Sequence, residues 1–250
     1  MIKRHKLLAC FAGLLLSHAA SAGVIGKPLP SPMWRSVLSL SLGPAWSSQG
    51  STQTLYLQTG IQKAYINQSP WSNFASGEIF FAGQREISNG IDIQVGFVAG
   101  ASGDNEFRGD IWEDGNRIFD NYSYHYLAHQ IRFAAKAKIS KQMSSQFQIY
   151  AGGSAGIGLN RAHNYTSTPK IAQAVNLPAF SDNTQSSFSY SLELGVQKTL
   201  QKHWVFGVGY QMIDWGKLSL ERAPGQTLGT GLQERHVYTH SAQFTLSYLA

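Results

Sequence analysis

Between Trp34 and Tyr248 the chain alternates apolar and polar residues in eight separate runs. The clearest run sets Ile91, Ile93, Val95, Phe97 and Ala99 against Asp92, Gln94, Gly96, Val98 and Gly100. A period of two belongs to a strand with one apolar and one polar face. The runs fall at about 34–46, 75–87, 91–101, 123–139, 145–160, 184–200, 203–219 and 235–248. Their connections alternate strictly, long then short, and Ser88-Asn89-Gly90 is a tight-turn signal. The last run puts Ala242, Phe244, Leu246 and Tyr248 on one face and Gln243, Thr245 and Ser247 on the other. A strand at that position needs a partner. Pairing it with the first strand closes a barrel and leaves no free edge. Weak alternation over 54–66 fits either a strand extension or a hairpin outside the barrel.

Closure alone does not say which face points out, because a soluble ligand-binding barrel would turn its apolar face inward. Composition separates the two. Charged residues make up 14% of the chain, against roughly 25% in a soluble domain. The polar faces are rich in Gly and Ser, which suits a crowded lumen. They also carry both signs, with Glu78, Asp92 and Glu193 facing Arg132, Lys136 and Lys138. Aromatic residues stand where interfacial belts belong: Trp204 and Tyr248 near the turn rim, Trp46, Tyr124 and Tyr238 towards the loop rim. Tyr238 and Tyr248 are ten residues apart; at roughly 2.5 Å of climb per tilted residue they bracket a ~25 Å apolar band. The predicted fold is all-β: an eight-stranded antiparallel transmembrane barrel with three short periplasmic turns and four long extracellular loops.

The first residues read differently. Lys3, Arg4 and Lys6, the apolar run 7–16, and Ala20-Ser21-Ala22 are the three regions of a secretory signal peptide. The apolar run is too short for a membrane helix. Residues 1–22 are therefore expected to be cleaved, 23–33 to form an extended, proline-bearing periplasmic leader, and 34–250 to form one barrel domain in a bacterial outer membrane. Cleavage removes Cys10 and three cations, so the formal charge of +6 overstates the mature chain. A thiol-free mature chain forms no disulfide framework. Nothing resembles a phosphate loop or the basic, stacked-aromatic face of a nucleic-acid reader, so no cofactor and no nucleic acid is expected.

The mixed charges of the lumen are the leading candidate for chemistry. Buried charges must be paired or solvated, so Glu78, Asp92, Arg132, Lys136, Lys138 and Glu193 are expected to form a plug, either static or gated. An eight-stranded barrel is barely wide enough for its own side chains, which argues against a general porin-like pore. His125 and His129 share a face, as do His236 and His240, but residues four apart in a strand lie roughly 13 Å apart, too far to share a metal. His240-Ser241 suggests a lipid hydrolase, yet adjacent strand residues point to opposite faces. The acidic stretch Asp104, Glu106, Asp110, Glu113, Asp114 and Asp120 lacks the spacing of a calcium loop and is expected to be a solvated loop. No metal and no enzymatic activity are expected.

Taken together, the signal peptide, eight alternating runs, loop asymmetry and terminal aromatic strand resemble the small outer-membrane barrels of the OmpA and OmpX type, and more loosely OmpW. The resemblance implies that Phe244, Leu246 and Tyr248 are an assembly signal read by the barrel-assembly machinery. It also implies contact with outer-membrane lipids and lipopolysaccharide, and a structural or surface-interaction role through the loops, with a host or environmental ligand there. The OmpW likeness implies the alternative, a narrow or gated channel for small solutes. A lipid-modifying enzyme ranks below both. Two departures stand out: Leu249-Ala250 follow the last aromatic, and no periplasmic cell-wall-binding domain is expected after the barrel.

Overall fold

The computed structural model describes residues 34–48, 50–68 and 71–250. The signal peptide and leader expected before Trp34 lie outside the described residues. The strands, in chain order, are β1 (Arg35–Ser48), β2 (Gln53–Gln58), β3 (Ile61–Asn67), β4 (Trp71–Ser88), β5 (Ile91–Ser102), β6 (Asn105–Glu113), β7 (Asp120–Gln142), β8 (Phe147–Pro169), β9 (Asn183–Gln201), β10 (Trp204–Asp214), β11 (Leu218–Ser219), β12 (Gln233–Glu234) and β13 (Tyr238–Leu249). One 3-10 turn, Arg117–Phe119, precedes β7.

Eight strands close into a ring of antiparallel pairs, β1-β4-β5-β7-β8-β9-β10-β13, with β13 back on β1. The first and last strands pair as expected, Leu38 opposite Tyr248 and Leu42 opposite Phe244. Following directly opposed residues round the ring from Arg35 leads through Gln84, Gln94, Lys138, Gly152, Glu193, Gln211 and Ser241 to Ala45. The ten-residue displacement along β1 is the stagger of the barrel. Over eight strands spaced ~4.8 Å apart, at ~3.3 Å per residue, it sets the strand tilt near 40°.

Tilt and alternation place the faces. Leu38, Leu40 and Leu42 of β1, Phe97 of β5, Phe133 of β7 and Leu194 of β9 all point outward and are exposed. Between them, inward residues are buried, and Ser39 bonds Ser247 at 2.7 Å and Ser41 bonds Thr245 at 2.8 Å across the β1–β13 seam. A continuous exposed girdle of large apolar side chains is unstable in water but is the surface a bilayer requires. The barrel spans a membrane with its apolar face on the lipid.

Beyond the band the chain keeps its order. β7 and β8 are 23 residues each, about twice what the bilayer needs. β6 joins the far half of β7, β3 joins β6, and β2 pairs with β3. The weakly alternating 54–66 segment is thus a hairpin outside the ring, turning at Gly60 with φ +77°. Three boundaries differ from expectation. The acidic 102–122 stretch is mostly strand, because Asn105, Phe107 and Ile111 bury one face beneath its charges. β8 runs on to Pro169, inside the expected 161–183 loop. β10 stops at Asp214 instead of continuing to 219, where Trp215 turns into the interior and Gly216 takes φ +81°.

Candidate functional site: a plugged lumen beneath a packed crown

In mid-barrel, Arg132 and Lys136 of β7 lie four residues apart and so share the inner face. Glu78 of β4 stands opposite Gly100 of β5, and Gly100 stands opposite Arg132. The glycine lets the guanidinium cross the intervening strand, since a Cβ there would lie 3.2 Å from Arg132 Nε. Arg132 Nη2 donates to Glu78 Oε2 at 2.8 Å and Nη1 to Ser154 Oγ at 2.8 Å. Lys136 Nζ donates to Glu78 Oε1 and, at 2.7 Å, to Glu193 Oε2. Gln211 Nε2 adds a third donor to Glu78 at 2.9 Å, and Gln243 Nε2 donates to Gln211 at 3.1 Å. Arg132 is wholly buried and Glu78 and Lys136 nearly so. Two carboxylates and two cations therefore bridge β4, β7 and β9 across the lumen.

Lys138 is close but separate. Its ammonium lies 4.0 Å from the centroid of the Tyr150 ring, a cation–π contact in place of a carboxylate. Tyr150 fits because a Cβ at Gly209 would lie only 2.3 Å from its hydroxyl. Asp92 does not join the network: it sits at the turn rim opposite Glu86, bonded to Gln84. Its position near the end of β5 leaves it too far along the barrel axis to reach the mid-lumen cations. Below the plug, a 170 Å³ vestibule opens at the turn rim, lined by Gln84, Gln94, Gln148, Gln197, Arg35 and Lys202 among others.

The aromatic residues expected at the two rims lie as follows. Trp204 meets Tyr248 edge-on at 5.2 Å at the turn rim, and Trp46 stacks on His240 at 6.4 Å at the loop rim, with half-buried Tyr238 nearby in β13. Tyr124, expected in the loop-side belt, is buried in the crown and packs edge-on to Tyr65 at 5.4 Å. It lies too far up β7 to reach lipid, and its face continues the lumen side of the strand. Phe244, Leu246 and Tyr248 are exposed on the lipid face.

The crown is a second core. Tyr65, Phe107, Ile111, Tyr126, Phe180 and Trp215 are among its buried members. Phe107 stacks on Tyr126 at 4.9 Å, and Trp215 Nε1 donates to Thr239 Oγ1 at 2.9 Å. Three of the acidic residues, Asp110, Glu113 and Asp120, are tied into this layer. Lys63 Nζ donates to Glu113 Oε1 at 3.0 Å and Asn121 Nδ2 to Glu113 Oε2 at 2.6 Å. Lys170 bridges Asp110 at 2.6 Å and Asp120 at 2.8 Å. Burial acts to raise the Glu113 carboxyl, but the Asn121 and Lys63 donors outweigh it and hold the group below its ordinary value. A solvated loop was expected here; Asp110, Glu113 and Asp120 are instead paired with Lys63 and Lys170, while Asp114 is exposed in a turn. Between the loops, Leu57, Ile61, Tyr65, Leu177, Phe180 and Pro224 are among the residues lining a 180 Å³ cleft.

The histidines serve packing and pairing. His240 bonds the Tyr210 hydroxyl on the lipid face, whereas Ser241 points into the lumen and bonds Gln243 at 2.9 Å. His236 Nδ1 lies 2.7 Å from buried Asp214, His125 bonds Thr166 at 3.0 Å, and His129 sits 3.7 Å from Asp104. Among the described residues no group of three side chains is arranged to hold a metal ion. The plug partners Gln211 and Ser154 were missed in the sequence. Their inward direction was readable from the alternation, but the ring's stagger decides whom they meet.

No protein-family model matches the chain, and no curated protein matches it in sequence. Among solved structures, it is similar to the outer membrane protein OprG from Pseudomonas aeruginosa, at 14% identity and TM-score 0.45 over 88% of this chain and 99% of that one. It is also similar to Neisserial surface protein A, at 12% and 0.41 over 86% and 96%, and to Ail, the attachment invasion locus protein of Yersinia pestis, at 11% and 0.34 over 86% and 98%. The architecture of this chain rests on its own strand pairing: an eight-stranded antiparallel membrane barrel, closed β1 to β13, whose neighbours are small outer-membrane barrels.

Proposed function

We propose that this chain is exported by its signal peptide to a bacterial outer membrane, where the barrel is a non-conducting, non-enzymatic anchor. In this reading its working surface is the folded crown, which meets a host or environmental ligand outside the cell. The observation that carries this is the lumen: Glu78, Arg132, Lys136 and Glu193 fill its middle with direct, buried ion pairs. A route for solutes through it would require separating several of these buried pairs at once. Single-channel recording of the refolded mature chain in a planar bilayer, beside Glu193→Ala, tests it. Silence from protein shown to be inserted is expected; unitary steps whose size changes in Glu193→Ala would replace the anchor with a gated pore.

One observation favours a second reading. The 180 Å³ crown cleft is mainly apolar, and a cavity of ~150 Å³ lined by apolar side chains is large enough for benzene. A small apolar solute captured there would make the crown the entry point of an uptake protein.

A further inference from the structure

Above the plug, four carboxamides form a row across neighbouring strands. Asn160 of β8 stands opposite Gln130 of β7 and Gln185 of β9. Asn105 of β6 stands opposite Ala128, one inward position along from Gln130. Asn105, Gln130 and Asn160 are wholly buried. Each of the four keeps a buried amide atom with no protein partner: both Nδ2 and Oδ1 of Asn105, Nε2 of Gln130, Oδ1 of Asn160 and Nε2 of Gln185. Asn160 is fixed in orientation, because its Nδ2 donates to Trp215 O at 2.7 Å and Lys217 O at 2.8 Å. For Asn105, exchanging nitrogen and oxygen changes nothing, since both are orphaned. Two residues below Gln130 on the same face, Arg132 Nε is also unpartnered.

Buried amide atoms are rarely left unpaired in folded proteins. Here the orphans comprise donors and acceptors, carry no carboxylate among them, and lie on four successive hydrogen-bonded strands between the plug and the aromatic crown. A ligand for this row must both donate and accept, be small, and be uncharged. We propose that the Asn105–Gln130–Asn160–Gln185 row is an internal binding site for ordered water, which bridges the four amides and hydrates the loop-side face of the plug at Arg132. A bound water makes two to four such bonds, so about two molecules satisfy the row. The aromatic crown above, not the ion network alone, then separates this water from the outside.

The test uses the whole refolded chain, perdeuterated and 15N-labelled, in lipid nanodiscs without polyol. Water-to-amide NMR transfer of the sign that marks long-lived contact should appear at the side-chain NH2 groups of Asn105, Gln130 and Gln185. The companion variant is Asn105→Leu, which breaks no side-chain bond within the protein. With water bound, it should weaken transfer at Gln130 and lower the urea midpoint. Absence of long-lived water at the three carboxamides of the unaltered chain overturns the proposal. So does a raised urea midpoint in Asn105→Leu, the result expected if its amide is simply dry. A small polyol as the true occupant would show as loss of the water signals on adding glycerol, and would overturn it too.

Discussion

Replacing Glu78 by Gln keeps the shape of the side chain and deletes one of the two carboxylates in the plug. The unaltered lumen holds Glu78 and Glu193 with Arg132, Lys136 and Lys138. At 2.8 Å, the Arg132–Glu78 distance, an ion pair in a medium of effective dielectric near 20 is worth ~6 kcal/mol before desolvation. Removing one partner leaves the other charges buried and uncompensated, at a net cost of about 3–5 kcal/mol. The new amide also turns donors towards Lys136 and Arg132, which are donors themselves. The measurement is urea unfolding of refolded protein in lipid vesicles, followed by tryptophan fluorescence and by the gel shift of folded barrel. Glu78→Gln is expected to lose about 3–5 kcal/mol. The double variant with Lys136→Met should lose less than the sum of the two single variants by at least ~1 kcal/mol, because contacting charges couple. A single-variant loss under ~1 kcal/mol, or strict additivity in the double, refutes a plug held by direct ion pairs.

Three further outcomes are expected. Phe97 is 73% exposed and Ile118 83% exposed, yet Phe97→Arg should cost about 2–4 kcal/mol of stability in vesicles because it faces mid-bilayer lipid. Ile118→Arg in the crown should stay within ~0.5 kcal/mol; equal effects would mean the band is misplaced. Glu113 has a carboxyl held below the ordinary 4.5 by Asn121 and Lys63 against the opposing effect of burial. A depressed carboxyl contributes stability that is complete above the unfolded value and lost as pH falls through the folded one. The urea midpoint should therefore drop below pH 4.5, and Glu113→Gln should flatten that drop; an unchanged pH profile counts against the pairing. Tyr248→Ser should lower the yield of barrel assembled in cells more than its refolding yield in vesicles, and equal losses would remove the assembly-signal reading.

The closed ring, its eight strands and its apolar-out sense were legible in the residues, because a period of two is a local property and needs no partner to be seen. Leu38 to Leu42 and Ile91 to Ala99 declare their faces on their own. The lumen charges were legible as a set, since Glu78, Arg132, Lys136 and Glu193 occupy inward positions. Asp92 shows the limit of that reasoning: alternation fixes the side of the wall but not the height along the axis. Tyr124 shows it again, inward as its period requires but far above the lipid.

The crown was hidden for a different reason. In β6 the buried residues Asn105, Phe107 and Ile111 are interleaved with Glu106, Arg108 and neighbouring acids, and charge density masks a half-buried strand when no partner is known. The sequence by itself determined a membrane barrel closed first strand to last, with charges turned inward, because those features follow from composition, periodicity and connection length. Only the tertiary structure decided that Arg132 reaches Glu78 over Gly100, that Lys138 rests on Tyr150, and that the long loops fold into a roof. Each of these depends on the ten-residue stagger of the ring, which arises from all eight pairings together and belongs to no single strand.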